Sequence, residues 1–219
     1  MSPQTATAAG NRPRRKPSAS ARRRAGRRRR RLLAATVVIA AVVVGAVLML
    51  PLARKAVNEF GLPLRYQDVI RAQAAEKHLD PAFIAAVIYA ETEFDPRTSS
   101  AGAVGPMQIL PETAQFLARR SGATTFKPSD LNNPAINIAY GSYLLRYLLD
   151  HYHGNTIDAV AAYNAGPANV DKWVAQARAS GHDLRIEDIP FPETRDYVER
   201  VLQAQKDYRA KYASELGYD

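Results

Sequence analysis

The chain contains no cysteine in 219 residues. This excludes a disulfide framework, a thiolate nucleophile and any cysteine-based metal site, and it removes the usual attachment point of a lipoprotein anchor. Histidine is scarce too: His78, His151, His153 and His182 are scattered, with no HExxH or comparable ligand spacing. They read as surface or packing residues, and no metal or other cofactor is expected. Convincing alternating strands are missing, which points away from sheet-based folds. Acidic residues are absent from positions 1–31, where twelve Arg or Lys are crowded. The formal charge of +9 therefore describes the tail rather than the chain. The other 188 residues hold 18 basic and 21 acidic side chains, a mildly acidic domain behind a basic segment.

What is present falls into four parts. Residues 1–31 combine Pro, Ser, Ala and Arg with almost no large apolar side chain, a composition that cannot bury enough surface to fold alone. Residues 32–50, LLAATVVIAAVVVGAVLML, carry no charge. At 1.5 Å per residue they span about 28 Å, close to the roughly 30 Å hydrocarbon core of a bilayer. The run exceeds the apolar core of a cleaved signal and continues into LPLARK without an A-x-A site. An uncleaved transmembrane anchor over residues 32–53 is the expectation. By the positive-inside rule the tail is cytoplasmic and the remainder lies outside the cytoplasmic membrane. The arginines set topology or lie on anionic headgroups. No aromatic residues interleave with them, so nucleic acid is not the expected partner. Residues 54–65 form a short stalk, and residues 66–219 form one all-α domain.

Helix signals in that domain are strong. Asp80-Pro81 is an N-cap followed by proline at the first helical position, opening AFIAAVIYAETEF. Pro111 opens ETAQFLARR, which stops at Ser121-Gly122. Asn133-Pro134 opens AINIAYGSYLLRYLLDHY, with Ile136, Tyr140, Tyr143, Leu144, Tyr147 and Leu148 predicted on its apolar stripe. Thr156 is expected to cap IDAVAAYN. Helices around NVDKWVAQARA and from about Glu193 to Tyr212 follow.

The stretch AETEFDP, residues 90–96, places two glutamates at the end of an apolar helix. At 100° per residue, Ile84, Val87, Ile88 and Phe94 lie within about 120° of one another, and Glu91 falls inside that sector. Glu93 points about 160° away. A carboxylate held against apolar side chains is disfavoured as an anion, so its pKa rises toward what a general acid needs. The segment by itself is equally consistent with a glutamate whose head reaches water at the helix end.

The blocks that follow are AETEFDP, then RTSSAGAVGPMQILPETA, AAYNAGPANVDKW and IPFPETRDYV. In this order they resemble the catalytic domain of the soluble lytic transglycosylases, a family related to goose-type lysozyme, over roughly residues 64–212. The resemblance implies a lysozyme-like helical fold and cleavage of peptidoglycan between N-acetylmuramic acid and N-acetylglucosamine, with 1,6-anhydromuramic ends and no cofactor. It implies that Glu91 is the single acid/base and that Tyr163 hydrogen-bonds its carboxylate. Ser99, Met107, Gln108, Asn164, Glu193 and Tyr197 are then the substrate-binding set, with Met107 and Gln108 lining the glycan groove. Thr92 stands where the family usually has Ser and keeps the hydroxyl. The interval from Glu91 to Gly102 is one residue shorter than the commoner spacing, and the distance to the glycine favours Ser99 over Ser100. A goose-lysozyme-type hydrolase and a non-catalytic, membrane-anchored peptidoglycan-binding protein are the competing expectations.

Overall fold

The computed structural model describes residues 61–218. The expected basic tail, membrane anchor and most of the stalk lie outside the described residues. Among those residues no helix is long and apolar enough to cross a membrane. Eight α-helices carry the described chain: α1 Gln67–Lys77, α2 Pro81–Thr92, α3 Pro111–Ser121, α4 Pro134–His151, α5 Thr156–Ala165, α6 Pro167–Ala179, α7 Pro192–Lys211 and α8 Ala213–Leu216. Five of them open with proline, whose fixed φ suits the first helical position and whose missing N–H has no partner there anyway. The Asp80 side chain accepts from the Ala82 N–H, and the Asn133 side chain from the Ala135 N–H. Asn155, not Thr156, caps α5, its side chain accepting from the Asp158 N–H. A hydroxyl and an amide both cap well, and backbone geometry selected the earlier residue.

Two departures from the expected layout bear on the site. A small antiparallel hairpin, β1 Arg97–Thr98 with β2 Val104–Gly105, interrupts the helical chain, too short to leave an alternating pattern. The stripe predicted on α4 is also rotated. Its buried positions are Asn137, Ile138, Gly141, Ser142, Leu145 and Leu148, while Ile136, Tyr140, Tyr143, Leu144 and Tyr147 are half-buried. Polar and small residues are what let the hairpin segment approach α4 closely, so a hydrophobicity pattern discounted the very face that packs.

α2 is the central element, and residues Ala82 to Ile88 are all buried. Its most extensive neighbour is α7, which turns Tyr197, Val198, Val201, Ala204 and Tyr208 inward. Three tyrosine hydroxyls, from Tyr89, Tyr208 and Tyr212, donate to the successive carbonyls of Gly61, Pro63 and Leu62 respectively. The segment entering the domain is thereby tied across α2 and α7.

Candidate active site

α2 ends abruptly. Glu93 takes a left-handed conformation (φ 51°) and its N–H bonds the Tyr89 carbonyl, and Phe94 is left-handed as well (φ 63°). Such residues cost roughly 1–3 kcal/mol each. Full burial of the Phe94 ring, stacked on Tyr66 and tilted against Tyr208, offsets part of that. The reversal sends Glu93 to solvent, as the helical phase predicted, and brings the chain back as the hairpin over the C-terminal end of α2.

Glu91 stays on the inner side of that last turn, half-buried. Burial raises its pKa from 4.5 to about 7, against the opposing influence of a hydrogen bond from Tyr197 and of the charges on Arg200 and Arg97. The Tyr197 hydroxyl donates to Glu91 Oε1 at 2.7 Å. Burial, followed by the Glu91 charge, holds the Tyr197 phenol far above its ordinary pKa, so it remains a donor.

The resemblance led to the expectation that Tyr163 would occupy this position. Instead the Tyr163 hydroxyl donates to the Met107 carbonyl at 2.8 Å, and its own pKa is raised by burial and then by the Glu91 charge. The two tyrosines therefore divide the work: Tyr197 contacts the carboxylate, and Tyr163 steadies the turn that follows the hairpin.

That turn is built to close tolerances. Thr92, buried at the end of α2, donates to the Pro106 carbonyl at 2.8 Å, so the hydroxyl that replaces the usual Ser is in use. Asn137, fully buried on α4, accepts from the Met107 N–H at 2.9 Å and donates to Val104 and Leu131 carbonyls at 2.7 and 3.2 Å. A Cβ on Gly105 would lie 2.4 Å from Asn137 Nδ2, and the glycine sits at φ 77°, so no other residue fits. Sequence reading missed Asn137. Its only signal was a polar residue inside the apolar run PAINIAY.

Met107 does not line a groove. Its side chain is 0 % exposed and lies over Gly141, where an added Cβ would fall 2.3 Å from Sδ. A flexible thioether filling the space above a helical glycine is a packing role. Gln108, left-handed at φ 48°, spends its amide nitrogen on the Arg97 and Gly105 carbonyls at 2.7 and 2.9 Å, which leaves Oε1 as the end that can address a ligand.

Ser99 closes the hairpin: its Oγ accepts from the Ala103 N–H at 3.0 Å while its own hydroxyl proton stays available to donate. Ser100, beside it, is exposed. Asn164, at the end of α5, accepts from the Thr194 hydroxyl at 2.7 Å, joining α5 to α7. Thr194, a residue of the ETRDYV block that sequence reading passed over, is the anchor. Glu193 is exposed in the first turn of α7, one turn before Tyr197.

The family described as Transglycosylase SLT domain matches residues 68–186, a span that contains Glu91, the hairpin and Tyr163 and stops short of Tyr197. The soluble lytic murein transglycosylase of Escherichia coli K12 is 33% identical over 150 residues, covering 67% of this chain and 23% of that protein. Membrane-bound lytic murein transglycosylase C of Glaesserella parasuis is 30% identical over 167 residues, covering 66% of this chain and 46% of that protein. Among solved structures, an inactive mutant of lytic transglycosylase Slt from Pseudomonas aeruginosa superposes with a TM-score of 0.63 at 32% identity, over 70% of this chain and 25% of that one. The chain thus spans about a quarter of the soluble relatives it matches.

Proposed function

The chain belongs to the Transglycosylase SLT domain family, and from that premise we propose that it is a peptidoglycan lytic transglycosylase with Glu91 as its single acid/base. The observation that carries the reading is a half-buried carboxyl group at the end of an apolar helix, hydrogen-bonded through one oxygen to Tyr197, where burial pushes its pKa up to about 7. Near neutral pH such a group is divided between its two protonation states, which suits it first to give and then to take a proton.

Glu91 protonates the glycosidic oxygen between N-acetylmuramic acid and N-acetylglucosamine as the bond breaks. The substrate's acetamido group supports the positive charge developing at C1. Glu91, now a carboxylate, removes the proton from the muramic C6 hydroxyl, whose oxygen closes on C1 to give the 1,6-anhydro ring. Glycosidases of the ordinary kind use a second carboxylate. Glu93 and Asp95, the nearest in sequence, are exposed beyond the helix end, so neither supplies a nucleophile. Tyr197 holds the orientation of Glu91, and in this reading the Ser99 hydroxyl, Gln108 Oε1 and the Asn164 amide are the groups offered to the sugar.

The substrate and the expected topology agree. A single anchor over residues 32–53 with the basic tail inside puts the domain on the side of the membrane where murein lies, and some relatives carry the name membrane-bound lytic murein transglycosylase. Turbidity of purified cell walls tests the reading. The full chain is expected to clear the suspension, and Glu91→Gln to leave it unchanged while giving the wild-type helical spectrum. Clearing by that variant at the wild-type rate would remove Glu91 from its role.

A further inference from the structure

Two guanidinium groups stand beside Glu91 that its acid/base chemistry does not use. Arg97, on β1, donates from Nη2 to the Glu91 carbonyl at 3.3 Å. Arg200, on α7 one turn beyond Tyr197, donates from Nη1 to the Ala90 carbonyl at 3.4 Å. Successive carbonyls of one helical turn thus draw arginines from two different elements to the same end of α2. Both side chains are exposed, and both act electrostatically on the Glu91 carboxyl.

Part of this is helix termination, since cations are favourable at a helix C-terminus. Capping uses one donor of each guanidinium, and each carries five. Arg71, Arg146, Arg185 and Arg209 have a carboxylate within 4.0 Å, whereas other described arginines, Arg97 and Arg200 among them, do not; what sets these two apart is their place beside Glu91. Among the described residues Arg97 and Arg200 are not in an ion pair with any carboxylate, so each keeps charged planar donors in reserve next to the reacting group.

We propose that Arg97 and Arg200 form an anion-recognition pair that binds a carboxylate of the glycan strand beside the scissile bond. The proposal rests on the peptidoglycan reading given above. N-acetylmuramic acid differs from N-acetylglucosamine by a lactyl ether. Its carboxyl is free on stem-free strands, whereas on intact strands it is joined to a peptide that bears carboxylates of its own. Guanidinium groups match carboxylate geometry through paired N–H donors. A neutral N-acetylglucosamine oligomer presents the same ring edges without the anion. The pair is thereby a specificity element that selects anionic strands and seats them at Glu91.

Calorimetric binding to the full-length Glu91→Gln chain tests this without turnover. Three ligands of equal length are compared: a stem-free muramic-acid strand, a stem-bearing strand and an N-acetylglucosamine oligomer. Adding Arg97→Gln and Arg200→Gln is expected to weaken binding of at least one carboxylate-bearing strand by about tenfold or more, while the neutral oligomer changes less than about twofold. Arg97→Lys with Arg200→Lys keeps the charge and is expected to recover part of the loss. The strand that loses most identifies whether the lactyl group or the stem supplies the carboxylate. Equal losses on all three ligands, or none, would overturn the proposal and leave the arginines as helix caps. Cell-wall cleavage by the wild-type chain is read separately, so its failure would count against the peptidoglycan reading and not against the pair.

Discussion

Replacing Tyr197 by Phe removes one hydroxyl and little else, and the geometry says which way the chemistry must move. The hydroxyl donates to Glu91 Oε1 at 2.7 Å and stabilises the ionised carboxylate. Without it the Glu91 pKa rises above about 7. A hydrogen bond to a charged group is worth about 1.5–3 kcal/mol, and one pKa unit corresponds to about 1.4 kcal/mol. Glu91 is half-buried, so solvent recovers part of the difference, and a shift of about one unit is expected. Proton donation requires the acid form, so activity falls as pH passes upward through this pKa. Tyr197→Phe should carry that falling limb about one unit toward alkaline pH. The lost orientation should lower the maximal rate about tenfold. Release of soluble muropeptides from purified walls between pH 5 and 9 measures both effects. Tyr163→Phe is the control: its hydroxyl bonds the Met107 carbonyl, so the rate should drop while the limb stays in place. An unmoved limb in Tyr197→Phe, or a larger movement in Tyr163→Phe, would refute the division of labour between the two tyrosines.

Further expectations concern the scaffold. Glu91→Gln should stabilise the fold at pH 8 and not at pH 4. A raised carboxyl pKa means that the folded state favours the proton, so its ionisation destabilises the fold progressively between about 4.5 and 7. Allowing for partial exposure, denaturant unfolding should show a gain of about 1–3 kcal/mol above that window and none below it. Gly105→Ala should destabilise by about 2–4 kcal/mol in the same assay, because the new Cβ meets Asn137 and the Leu131 carbonyl at a positive φ. Thr92→Ser should be near neutral, whereas Thr92→Val should lose about 1–2 kcal/mol and part of the activity by orphaning the Pro106 carbonyl.

Helices were legible because their termini are written locally. Asp80-Pro81, Asn133-Pro134 and Ser121-Gly122 each announce a boundary through capping and φ preferences that need no tertiary context. Glu91 was legible only in part. Helical phase separated it from Glu93, but α2 is buried on every side over residues Ala82 to Ile88, so phase discriminates only in its last turn. The roles of the companions were not legible. Met107 sits in the packing above Gly141, and the carboxylate's tyrosine lies 106 residues away on α7. Such pairings depend on how α7 is laid against α2, which no local pattern records. Asn137 was hidden for the opposite reason: a polar residue on a buried face reads as solvent-exposed until three backbone groups are seen to converge on it.

In the proposed mechanism Glu91 alone gives and takes the proton, and the cleavage consumes no water. Mass spectrometry of the muropeptides released from purified walls tests it most directly. Wild-type protein is expected to release strands ending in 1,6-anhydromuramic acid, and Glu91→Gln to release none. Reducing ends one water heavier, or anhydro ends from the Glu91→Gln protein, would contradict it.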